Sequence, residues 1–215
     1  MRLVCISDTH GLHANMFEEI PDGDVLIHAG DMCNTGTLSE VQKFNAWLGE
    51  LPHKHKIVIA GNHDFCFERQ PESAERMLTN AKYLKDVSHT IDGVKFYGSP
   101  WSPWFFDWAF NFPYGDEHGT AARATWRQIP PDTQVLITHG PMRGLRDEVI
   151  MPPGDHVGCP YLLERLEALP DLKLHVFGHI HENYGTTHKG NVTFVNASVC
   201  DRTYRPCHKP IVFDL

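Results

Sequence analysis

Positive charge is scarce in this chain. Lys and Arg number 19 against 27 Asp and Glu, a formal net charge of −8 at pH 7, and no Lys/Arg-rich run occurs. A long nucleic-acid duplex, whose phosphates need many cations, is therefore not an expected partner, although single nucleotides and short ends stay open. Long apolar runs are missing as well: nothing approaches the ~18 residues that a membrane span requires. Met1 leads straight into the strand-like Leu3-Val4-Cys5-Ile6, so no secretory signal is expected either. The six cysteines, Cys5, Cys33, Cys66, Cys159, Cys200 and Cys207, contain no Cys-x-x-Cys pair. Reduced thiols and a cytoplasmic setting are the expectation. What is present describes an ordered globule: 41% hydrophobic and 21% charged residues over 215 positions, enough for one domain, 1–215, with a sizeable core.

Short β-branched-rich runs punctuate the sequence at Leu3–Ile6, Val25–His28, Ile57–Ala60, Val135–Thr138, Leu174–Phe177 and Val192–Val195. They read as buried strands. Between them run helical patterns, clearest from Leu38 to Leu51, where Val41, Phe44, Trp47, Leu48 and Leu51 share one face and Thr37 with Glu40 forms a capping box. Further helices are expected at Glu72–Asn80, Ala121–Gln128 and Tyr161–Leu169, the last opened by Pro160. Asp92-Gly93 signals a hairpin within Thr90–Tyr97, and Pro210–Leu215 reads as a closing strand. Strands alternating with helices argue an α/β fold, and the additional strands point to a second sheet against the first.

Five polar strings fall where strands end: Asp8-Thr9-His10, Gly30-Asp31, Gly61-Asn62-His63-Asp64, His139-Gly140 and Gly178-His179-Ile180-His181. Side chains at the carboxyl ends of strands converge on one sheet edge. The donors are carboxylate, amide oxygen and imidazole without thiolate, a set suited to first-row ions: carboxylate favours Mn, Mg or Fe, and imidazole favours Zn, Fe or Ni.

In order and spacing these strings resemble the calcineurin-like metallophosphoesterase superfamily. A narrower similarity, to the MPPED (metallophosphoesterase domain-containing) family, is carried by Tyr97-Gly98-Ser99-Pro100-Trp101-Ser102-Pro103-Trp104, Trp108-Ala109-Phe110-Asn111, Thr138-His139-Gly140-Pro141, Leu174-His175-Val176-Phe177-Gly178, Asn196-Ala197-Ser198 and Pro210-Ile211-Val212-Phe213-Asp214. The resemblance implies two stacked mixed β-sheets flanked by helices, a four-layer αββα sandwich, with a dinuclear centre between them. It assigns Asp8, His10 and His181 to one metal, Asn62, His139 and His179 to the other, and Asp31 to the bridge. It makes His63 the group that donates a proton or hydrogen bond to the ester oxygen, with Asp64 holding its orientation. Some animal members carry Gly in place of the first His of Gly-His-x-His; this chain keeps His179.

The implied activity is hydrolysis of small phosphodiesters by in-line attack of metal-bound hydroxide, with 2′,3′- and 3′,5′-cyclic nucleotides the leading substrates and Mn the leading metal, ahead of Fe, Zn or Mg. A broad phosphomonoesterase, or a nuclease on short ends, is the alternative enzyme, and a metal-stabilised interaction module with vestigial catalysis the alternative class. Arg143 and Arg146, shortly after His139, are candidate phosphate contacts. Trp104 and Trp108, within a dense aromatic segment from Trp101 to Tyr114, are candidates for stacking on a nucleobase, against a plain packing role. Of the fifteen histidines, His28 and His175 sit inside apolar runs and read as core or supporting groups, while His53, His55, His118, His156, His188 and His208 read as solvated loop residues.

Overall fold

The computed structural model describes every residue except 17, 117, 151 and 152. The first sheet holds β1 (Arg2–Ile6), β2 (Val25–Ala29), β3 (His55–Ile59), β4 (Lys82–Tyr83) and β13 (Ile211–Asp214), in the order β13-β1-β2-β3-β4. Its four neighbouring strands β1 to β4 run parallel, and β13 closes the edge antiparallel to β1. The second sheet runs β11 (Gly185–Lys189), β12 (Val192–Asn196), β10 (Leu174–Phe177), β7 (Val135–Thr138), β6 (Val94–Ser99) and β5 (Val87–Ile91). Here the central strands are parallel, while β11 and β5 lie antiparallel at the two edges. A small hairpin, β8 (Glu148–Val149) with β9 (Asp155–His156), stands apart.

Two-residue alternation decides which layer each side chain enters. In β1, Leu3 and Cys5 face the space between the sheets, with Ile27, Ile57, Phe96, Ile137 and Val176. Val4 and Ile6 point the other way, to Val41, Phe44 and Leu48 of α1 (Leu38–Glu50) and to α2 (Phe65–Arg69) and α3 (Pro71–Met77). Tyr97, Leu136, Phe177 and Phe194 likewise cover the outer face of the second sheet, against α4 (Thr120–Trp126) and α5 (Pro160–Leu166). The result is two mixed sheets packed face to face with helices on both outsides.

The expected elements are found with shifted ends. The capping box of α1 is complete, Thr37 Oγ1 accepting from the Glu40 amide and the Glu40 carboxylate from the Thr37 amide. The helix expected to reach Asn80 stops at Met77, because Asn80 is drawn onto α1 by two 2.8 Å hydrogen bonds to Asn45. The Asp92-Gly93 turn has φ of +47° and +84°, as a tight hairpin demands.

Candidate metal centre

Five strand exits open onto one cleft. Three of the five leave their strands through left-handed backbone: Asp8, His10, Asp31 and His179 have φ of +55°, +44°, +57° and +68°, conformations uncommon for these residues. Backbone pairing fixes the exits to one another, Asp8 donating to Gly30 O at 2.9 Å and His10 to Asp31 O at 3.0 Å. The sheets are joined at this end by a bridge between Ser7 and Ser198. Gly178 allows the closest approach, since a Cβ there would collide with the Asp8 carboxylate.

The structure brings the seven expected ligands together. Asp8, His10 and His181 offer donor atoms within 4.8 Å of one another, as do Asp8, Asp31 and His139, and His10, Asp31 and His63. His181 Nε2 lies 3.3 Å from Asp8 Oδ1 and 3.2 Å from His10 Nε2. On the other side, Asn62 Oδ1 is 2.8 Å from both His139 Nε2 and His179 Nδ1, and His139 Nε2 is 3.4 Å from Asp31 Oδ2.

Two imidazoles are held in the tautomer that a metal requires. His139 Nδ1 donates to Ala29 O at 3.0 Å and His181 Nδ1 to Asp201 O at 3.0 Å, which turns each Nε2 to the cage, where an ion can replace its proton. The charges agree. Burial tends to lower His139 and His181, but Asp31 beside the first and Asp8 beside the second outweigh it and raise each to about 9. His10 and His179 have less such compensation, and burial holds both down to about 4. Two buried carboxylates thus call for positive charge, which divalent ions could supply in place of protons. The donor set fits a dinuclear centre.

Behind the cage, Asp64 ties loops together. Its fully buried carboxylate accepts from the amides of Asp31, Met32, Cys33 and Gly61, at 2.9, 3.4, 2.9 and 2.8 Å. It does not orient His63, as the family resemblance implied. His63 Nδ1 instead donates to Asn34 O at 2.8 Å, and its Nε2 has no protein partner among the described residues. The strand histidines serve as supports: His28 Nε2 pairs with Thr9 Oγ1 at 2.9 Å and His175 Nε2 with Thr138 Oγ1 at 2.8 Å. His53 is not a solvated loop residue, for it is buried and bonded to Pro21 O at 2.9 Å.

The cleft has a volume of about 220 Å³ and is lined by Asp31, Asn62, His63, His179 and His181 on its floor, with Phe105, Trp108, Glu182, Arg202 and Tyr204 as walls. Trp108 lies over His63 with ring centroids 4.3 Å apart. The other anticipated substrate contacts lie elsewhere. Trp104 lines a neighbouring apolar cleft with Pro103, Phe112 and Tyr114. Arg146 is turned away, its guanidinium committed to the carbonyls of Asn183, Tyr184 and Thr186. Arg143 is exposed and does not line the metal cleft. Glu182, Arg202 and Tyr204 were not anticipated; the only sequence signal was their closeness to His181 and to Asn196-Ala197-Ser198.

A strand-end cage of carboxylates and imidazoles at the edge of two stacked sheets defines a class, the metal-dependent phosphoric ester hydrolases. The chain belongs to the calcineurin-like phosphoesterase family, whose model matches residues 1–183. That family binds a dinuclear metal site. Over its full length the chain is 45% identical to Metallophosphoesterase domain-containing protein 1 of Homo sapiens, spanning 71% of that protein. It is 42% identical over its full length to a UPF0046 protein of Caenorhabditis elegans, spanning 81% of it. The crystal structure of TT1561 of Thermus thermophilus superimposes with a TM-score of 0.57 at 13% identity, covering 91% of this chain and 88% of that one, a likeness of fold alone. No helix among the described residues is long and apolar enough to cross a membrane.

Proposed function

We propose that this chain is a phosphodiesterase for small substrates, with cyclic nucleotides the leading class. In this reading Asp8, His10 and His181 hold one ion, Asn62, His139 and His179 the other, and Asp31 reaches both; Mn is the first choice of metal, with Fe, Zn and Mg alternatives. The ions, when bound, activate water and stabilise the charge that develops on the phosphoryl oxygens. His63 assists the departing ester oxygen. With Nδ1–H held by Asn34 O, its Nε2 is the atom left to face substrate, and in the protonated ring it can donate to the leaving oxygen. Asn34 fixes the direction of that proton.

The observation that carries a diester of nucleotide size is the company His63 keeps. A leaving group drawn toward its Nε2 meets Trp108 over the same imidazole and Phe105 on the adjoining wall, flat apolar surfaces suited to a ring. Phosphate and ring can thus be held together.

Hydrolysis of bis(p-nitrophenyl) phosphate, p-nitrophenyl phosphate and 2′,3′- and 3′,5′-cyclic AMP by Mn²⁺-reconstituted protein tests the reading, with His63→Ala alongside. The expected result is diester cleavage faster than monoester cleavage, with His63→Ala lowering kcat by about 10² to 10⁴ while metal content is unchanged. Preference for the monoester would move the chain to the phosphomonoesterases. Two bound metals without turnover of any substrate would favour an interaction module.

A further inference from the structure

Three arginines stand near the cage, and their surroundings differ. Arg146 is turned away, its two terminal nitrogens bonded to backbone carbonyls. Arg205 is forked onto Asp201, with Nε and Nη2 at 2.9 and 2.7 Å from Oδ2. Arg202 alone among the described cleft-lining residues brings a permanent positive charge, and it is loosely held. Its Nε is 3.8 Å from Glu182 Oε1, beyond hydrogen-bond reach, and its side chain is 48% exposed.

The loop that presents it is built in place. Asp201 accepts through its carbonyl from His181 Nδ1 at 3.0 Å and through its carboxylate from Thr203 N, Thr203 Oγ1 and Arg205 N at 2.8, 2.7 and 3.1 Å. Tyr204, at φ +58°, turns its ring onto His10 and His181, with centroids 4.7 and 5.5 Å away. Arg202 is therefore carried on a loop tied to a cage histidine.

We propose that Arg202 is the anion-recognising side chain of the metal cleft: it exchanges its loose pairing with Glu182 for a phosphoryl oxygen of the substrate. The proposal rests on the phosphoester reading of the cleft. A guanidinium presents parallel N–H groups that match two phosphate oxygens, which no imidazole of the cage can do. Glu182, mostly buried and bonded to the Ile150 amide at 3.2 Å, keeps Arg202 at the cleft while its own charge opposes an entering anion. The two residues act with opposite sign on affinity.

The test uses the full-length Mn²⁺-loaded protein, with orthophosphate titrated calorimetrically beside kinetics on bis(p-nitrophenyl) phosphate. Arg202→Ala is expected to raise the orthophosphate Kd and the diester KM roughly tenfold or more, with both metals retained and kcat changed less. Arg202→Lys recovers part of the loss. Glu182→Gln, which keeps an acceptor for the Ile150 amide, tightens orthophosphate, and the gain disappears in the double variant. An unchanged Kd in Arg202→Ala, loss of metal in that variant, or no orthophosphate binding by the parent overturns the proposal. Should the parent cleave no diester, the phosphodiesterase reading fails, and the orthophosphate titration still decides the role of Arg202.

Discussion

The floor and the walls of the metal cleft are made by different means. Asp31 and Asn62 on the floor, and Asp8, His10 and His139 beneath it, are nearly or wholly buried, and backbone amides or carbonyls fix several of them from behind. Wall residues Phe105 and Tyr204 are 56% and 43% exposed, and the Arg202 side chain has no hydrogen-bonded anchor among the described residues. Geometry that must be accurate is embedded in the strand ends, whereas the surfaces that meet a variable leaving group sit on loops where exchange costs little stability. A substitution among the seven candidate ligands should therefore act through metal and fold, and a wall substitution through KM.

The largest effect expected from breaking this contrast is at Asp31. Asp31→Ala removes the carboxylate that both halves of the cage share and that accepts the His63 amide at 2.8 Å. It should lose at least one ion and weaken metal binding by more than the roughly 10- to 100-fold caused by removing an outer hydrogen-bond partner. Elemental analysis after gel filtration checks this, and two ions per chain would contradict the shared ligand. On the wall, Phe105→Ala should leave metal content and thermal midpoint unchanged while raising KM for a cyclic nucleotide about fivefold or more, from loss of about 1–3 kcal/mol of stacking. KM for dimethyl phosphate, which offers no ring, should not move. If both values change together, Phe105 shapes the cleft instead of contacting a base.

A third and smaller effect lies outside both regions and calibrates them. Burial tends to raise Glu40, but the amides and hydroxyls of Thr37 and Thr35 outweigh it and hold the carboxyl down to about 2, against an ordinary value of 4.5. A carboxyl lowered on folding stabilises fully above its unfolded value and loses that contribution as pH falls through its folded one. Glu40→Gln should accordingly cost about 1 kcal/mol at neutral pH, with activity intact. The gap between the two proteins should close on acidification from about pH 4.5 toward 2. Urea midpoints followed through that window test it; a constant gap would assign the loss to packing.

The same division governed what could be read from the residues. The convergence of the candidate ligands was legible because each leaves a strand at its carboxyl end, so apolar runs announced Asp8, Asp31, Asn62, His139 and His179 together. The wall has no period. Nothing in Asp201-Arg202-Thr203-Tyr204 signals that a carboxylate-centred turn will direct one arginine into the cleft, and Arg146 was a better candidate by spacing until three carbonyls claimed it. The family resemblance gave Asp64 the orienting of His63, but a left-handed turn at Asp31 directs neighbouring amides to the Asp64 carboxylate instead. His53 shows the limit of polarity as a guide, since a single carbonyl at the right distance buried it.

At His179 the backbone and the side chain pull against each other. The φ of +68° is one that glycine adopts freely and that costs a histidine about 1–2 kcal/mol. Replacement by glycine, as in some members of the family this chain resembles, therefore relaxes the turn in the same step that deletes the imidazole. Relief of the turn thus offsets part of what the chain loses with the His179–Asn62 contact, and the reverse exchange must restore the strained backbone. Loss of this histidine should be a one-way door in the history of the lineage, easily passed and seldom retraced.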